Sequence, residues 1–149
     1  MLYAYPVTRE PDTDAGGYGV RFADVPEVHT QGDDREEALD QAEDALVLAL
    51  DLYVDAGEPL PTPSSAKDRP LVAVPARVAA KLALYEEVRA ACLTKTALAR
   101  RLGITDTEAH RLLDLDHPTK MDRLKRVLRS FDVELVVTDP QTGGLRARS

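Results

Sequence analysis

The chain has 149 residues, 44% of them apolar, a formal net charge of −7 and a single cysteine. The apolar share suffices for a packed core, no apolar run approaches the roughly 20 residues that cross a bilayer, and one cysteine excludes an internal disulfide framework, so a reducing cytoplasm is expected. The charge is divided: residues 1–68 carry 4 Lys/Arg against 16 Asp/Glu and residues 69–149 carry 15 against 10, an acidic half suited to cationic partners followed by a basic half suited to polyanions.

LYAYPVT (2–8) reads as a first strand, placed at a sheet edge because Pro6 cannot donate to a ladder. TDAGG (13–17) is turn chemistry, and YGVRF (18–22) alternates Tyr18, Val20 and Phe22 with Gly19 and Arg21, the period of a half-buried strand. VHTQ (28–31) offers a third strand. Asp33 with Glu36 three residues on has capping-box spacing for a long helix. Ala42, Ala45, Leu46, Ala49, Leu52, Tyr53 and Ala56 trace its buried stripe, and Glu37, Asp40, Asp44, Asp51 and Asp55 fall opposite. Gly57 and Pro59 stop it. GEPLPTPSSAKDRP (57–70), with four prolines, is expected to be an extended, semi-rigid linker. LVAV (71–74) then returns as a fourth strand, so the first half reads β-β-β-α-β.

Pro75 opens a second helix whose apolar side runs through Val78, Leu82, Tyr85, Val88 and Ala91 or Cys92. KTALARRL (95–102), TDTEAHRLLD (105–114) and KMDRLKRVLRSF (120–131) are three further helices, VELVV (133–137) a closing strand open to a dimer mate, and 139–149 a loose tail. The first pair has helix-turn-helix requirements: Leu98 and Leu102 on the core side, Ala99 for close approach, Gly103 for a left-handed turn, Ile104 at the corner, Thr105 or Asp106 as a cap, and Ala109 with Leu112 facing inward. The spacing resembles the phage-repressor class of helix-turn-helix. That resemblance implies Thr105, Asp106, Thr107 and Arg111 toward base edges, Lys95 and Thr96 toward the backbone, and His110 at the same rim. Arg111 is the leading candidate to read a guanine, with Arg100 and Arg101 as further cations. The competing reading is a helical pair used only for dimerisation. It draws on Asp106 and Glu108, carboxylates placed where a reading helix would approach phosphate.

The stretch YGVRFADVPEVHTQGDDREEALDQAEDALVLALDLYVDAGEPLPTPS resembles the HicB antitoxin family. The matching pieces are Gly17-Tyr18, the turn Asp24 to Glu27, TQGD (30–33), the Glu/Ala/Leu-rich helix and GEPLPTPS (57–64). The resemblance implies an α+β chain: a partial RNase H-like domain over 1–75 that binds a HicA-like ribonuclease toxin, then an all-α helix-turn-helix domain over 76–138, ending in a short strand, that binds the operon's own promoter as a dimer or higher oligomer. Independently, the acidic helix face of Glu37, Asp40, Asp44, Asp51 and Asp55, joined by Asp12, Asp14 and Asp24 in loops, suits a basic partner. Its alternative is a merely solvated face, and strand edges 2–8 or 18–22 are a second docking candidate.

Catalysis is not expected. A two-metal nuclease needs converging carboxylates from strand centres, and 2–8 and 71–74 contain none. His29, His110 and His117 are scattered, His110, Asp114 and His117 share at most a weak metal-binding face, and Cys92 on an apolar helix side reads as core. No cofactor, metal or membrane partner is expected. The runner-up function is a stand-alone helix-turn-helix regulator with a ligand- or protein-sensing first half.

Overall fold

The computed structural model describes residues 3–11 and 16–136. The fold is mixed α+β. Strands β1 (Ala4–Pro11), β2 (Tyr18–Phe22) and β3 (His29–Gly32) precede helix α1 (Arg35–Ala56). Strand β4 (Leu71–Ala73) and helices α2 (Ala76–Ala90), α3 (Lys95–Leu102), α4 (Asp106–Leu113) and α5 (Met121–Arg129) follow. The chain divides into two compact units, a sheet unit of 2–52 and 61–74 and a helical unit of 53–60 and 75–136.

In the sheet unit the strand order is β3-β2-β1-β4, every pair antiparallel. Both strands expected at an edge, 2–8 and 18–22, are therefore interior, and the edges belong to β3 and β4. Pro6 is tolerated inside because Val7 N donates to Pro70 O on the β4 side. Successive amides alternate sides, so the missing Pro6 donor faces β2, whose ladder with β1 begins only at Val7. Tyr5, Val7, Val20, Phe22 and Val72 share one sheet face and are buried. With Ala38, Ala42, Leu46, Ala49 and Leu50 of α1 they make the core of this unit.

The buried stripe of α1 differs from the expected one. Leu52 is 63% exposed, and Ala38 and Leu50 lie inside instead. Apolar residues occupy more than one side of this alanine- and leucine-rich helix, so periodicity alone does not select the packed side. The helix start is also displaced by one residue. Asp34 Oδ1 accepts from Glu37 N at 2.8 Å and Glu37 Oε2 accepts from Asp33 N at 3.0 Å, so the reciprocal cap uses Asp34 and Glu37 rather than Asp33 and Glu36.

The proline-rich stretch is a fastened strap rather than a spacer. Ser64 donates through both N and Oγ to Asp24 Oδ2, each at 3.0 Å, and the Tyr5 hydroxyl donates to Pro61 O at 2.9 Å. Asp24 and Ser64, forty residues apart, belong to the two sequence motifs DVPE and PTPS, so one contact accounts for both. On the helical side, Tyr85 Oη donates to Glu58 O (2.7 Å) and Arg89 Nε to Gly57 O (3.2 Å).

In the helical unit α2 packs against α4 and α5, and α3 against α4, around Val78, Leu82, Leu84, Leu98, Leu112, Leu124 and Leu128. Cys92, expected in the core, is exposed beyond the end of α2 in a left-handed conformation, φ 54°. Residues 133–136 carry no regular secondary structure. The rest of the expected strand, the 139–149 tail and the loop acids Asp12 and Asp14 lie outside the described residues. Among the described residues no helix is long and apolar enough to cross a membrane.

Candidate functional site

Two surfaces carry the candidate residues. The first is built by α3 and α4. Thr94 Oγ1 accepts from Ala97 N and Thr105 Oγ1 from Glu108 N, so each helix starts at a threonine cap. Gly103 takes φ 67° at the end of α3, the left-handed turn that glycine adopts most readily. With Ala109, Leu112 and Leu113 turned inward, Asp106, Thr107, His110 and Arg111 are left exposed together on the other side of α4. Residues of α3 join them. Lys95 Nζ donates to His110 Nδ1 at 2.9 Å, and Thr96 Oγ1 to Asp106 Oδ2 at 3.3 Å. The Lys95 bond leaves the ring proton of a neutral His110 on Nε2, a donor available to an outside acceptor. Thr105 is adjacent, its Oγ1 accepting the cap bond from Glu108 N while its O–H can still donate.

One candidate cation and one carboxylate behave differently from expectation. Arg101 turns away: Nη2 donates to Ser130 O at 2.9 Å, and the guanidinium sits 3.9 Å from the centroid of the Phe131 ring. Arg100 remains exposed, one turn beyond Thr96. Glu108 pairs with Arg123 at 3.1 Å, so its charge is answered within the unit. His117 lies beyond the end of α4 and contacts Thr119 Oγ1 (3.1 Å), so it does not share a helical face with His110 and Asp114.

Sequence reasoning missed two features. Arg111 borders a groove of about 500 Å³ lined by Lys120, Arg123 and Arg126 together with Glu108 and Asp122, which carries cations beyond α4, Arg123 among them paired to Glu108. The i, i+3 spacing of Arg123 and Arg126 was its available signal. The other is Lys81, fully buried. Its Nζ donates to Arg111 O (2.8 Å) and Asp114 O (2.6 Å), tying down the C-terminal end of α4. Burial pushes its pKa down to about 8, opposed by Asp114 and assisted by Arg77. A lone lysine among Val78, Leu82 and Tyr85 was the signal.

The second surface is α1. Asp40, Asp44 and Asp55 are exposed, as expected, and Asp51 is half-buried. Glu37 is engaged in the helix cap. Glu43 beside them has a raised pKa, through burial first and then repulsion from Asp44 and Asp40. Asp24, expected to join this surface, is committed to Ser64.

Residues 4–83 match the family described as "HicB_like antitoxin of bacterial toxin-antitoxin system". Full-length relatives agree. "Antitoxin HicB 1" of Photorhabdus laumondii is 40% identical over 134 residues, covering 90% of this chain and 85% of the relative. "Antitoxin HicB" of Escherichia coli K12 is 40% identical over 133 residues, 88% and 95% of the two chains. The chain belongs to the HicB-like antitoxin family. This is a family of antitoxins rather than enzymes. The family match spans the sheet unit, the strap and the first part of α2, and so includes the Asp24–Ser64 contact and the cap at Asp34.

Proposed function

We propose that the sheet unit captures a HicA-like ribonuclease toxin and that α3 and α4 bind the promoter of the same operon, repressing it, with the chain acting in the cytoplasm. Family membership supports the first half. The second rests on one observation: Lys95, Thr96, Asp106, Thr107, His110 and Arg111 share a single exposed surface. In this reading Arg111, Thr107 and Asp106 meet base edges, His110 offers Nε2–H at the rim, and Lys95, Thr96 and the Lys120–Arg126 groove hold phosphates. With the Glu108 carboxylate paired, the electrostatic objection to a duplex here is reduced to Asp106. A homodimer or higher oligomer presents two such helices to successive major grooves, about one helical turn apart.

The Arg111→Ala variant is expected to lose about 1–3 kcal/mol of operator affinity, with discrimination relaxed at one base pair. A gel-shift titration at fixed salt measures this, and unchanged affinity assigns Arg111 no base. The Asp40→Lys/Asp44→Lys variant is expected to slow association with the toxin, most at low ionic strength, where exposed charges steer best. Stopped-flow association rates equal to wild type at low salt would remove these carboxylates from the capture surface. Co-purification of the chain with the product of a small basic reading frame beside it tests the whole assignment. Operator binding without such a partner would indicate a stand-alone regulator.

A further inference from the structure

Helix α1 carries Glu36, Glu37, Asp40, Glu43, Asp44, Asp51 and Asp55 against one basic residue, Arg35, whose guanidinium lies 5.7 Å from the centroid of the Tyr18 ring. The exposed positions Glu37, Gln41, Asp44, Leu48, Leu52 and Asp55 recur at helical spacing along the solvent side. Leu48 and Leu52 are 64% and 63% exposed and one turn apart. Two adjacent large aliphatic side chains kept in water, framed by carboxylates, have no use in the core, which is already complete without them. Apolar anchors with a polar rim are the arrangement of a protein-docking surface.

We infer that Leu48 and Leu52 are the apolar anchors of a docking face on α1 for a basic protein that offers a hydrophobic pocket ringed by lysine or arginine. This rests on the toxin-capture reading and names the side chains that hold the complex once charge has brought it together. Charge complementarity selects the occupant. A second copy of α1 would set seven carboxylates against seven, and a nucleic acid would set phosphates against them, whereas a cationic protein answers them with opposite charge. The mode is that of a helix laid into a groove, read by residues at i and i+4.

The full-length chain carrying Leu48→Ser and Leu52→Ser tests this, because both side chains are exposed and the fold does not depend on them. Wild type, this variant and Asp40→Lys/Asp44→Lys are each titrated against a purified HicA-like toxin. Surface-immobilised kinetics at two salt concentrations supply the rates, and sedimentation the mass of the free chain. The serine variant is expected to bind roughly tenfold or more weakly, the loss falling in the dissociation rate with the salt dependence kept. The lysine variant loses association rate instead. Serine-variant affinity within about threefold of wild type, with wild type still binding, overturns the anchor assignment and leaves toxin capture standing. A fall in the mass of the free chain in the serine variant also overturns it, since the face would then join copies. Failure of wild type to bind overturns both readings.

Discussion

The Gly32→Ala variant is expected to lose about 3 kcal/mol or more of folding stability, enough to unfold much of the sheet unit at physiological temperature. Gly32 ends β3 where the chain turns into α1. A Cβ there would lie 2.5 Å from Ala38 Cα and 2.8 Å from Glu37 C, and closer still to Ala38 N. All three are backbone atoms of the first turns of α1, fixed by the Asp34–Glu37 cap, so no rotamer change makes room. Gly17 reinforces the requirement. It has φ +78°, and its own Cβ would collide with Gly32 O. Gly16, with nothing within 4 Å, is the contrast, since a side chain there meets only the strain of φ +76°. Chemical denaturation followed by circular dichroism measures the three variants. A Gly32→Ala cost below about 1 kcal/mol would mean that β3 and α1 separate readily, contrary to the packing described.

The Lys81→Met variant is expected to lose about 3 kcal/mol from the helical unit. Methionine keeps most of the stem volume but leaves Arg111 O and Asp114 O without their charged donor in a site closed to water. Because these carbonyls end α4, where the helix dipole is negative, the operator affinity proposed above should fall as well although Lys81 touches no surface. Titration adds a second signature. With its pKa lowered to about 8, Lys81 sheds its proton in the folded chain while the unfolded chain keeps it up to about 10.5. Between those values the unfolded state binds more protons, so the contribution of Lys81 to stability rises with pH across that window and is lower below it. A neutral amine still has two N–H donors for the two carbonyls. The stability gap between wild type and Lys81→Met should therefore widen in favour of wild type as pH rises above 8. Thermal unfolding across that range checks the sign, and a gap that narrows would reject it.

Much of the element list was legible because its causes are local. Alternation in YGVRF, the Thr105 cap, the Gly103 turn and the stops at Gly57 and Pro59 each act over a few residues, and each is present as expected. The charge division was equally plain, since counting residues requires no contacts. Errors began where a residue's role depends on a partner far along the chain. Pro6 was read as an edge signal, yet an interior strand accepts it because the neighbouring ladder starts one residue later. The proline-rich stretch was read by composition as a spacer, and Asp24 and Tyr5 fasten it.

By itself, then, the sequence determined the order and kind of the elements from β1 to α5, the charge of each half and the family motifs, all encoded by short-range chemistry. Only the tertiary structure decided which arc of α1 is buried and so exposes Leu48 and Leu52, which cations face outward, and why two motif glycines stand where they do. Those outcomes follow from steric exclusion and hydrogen-bond pairing between distant segments, for which hydrophobic period and composition carry no signal.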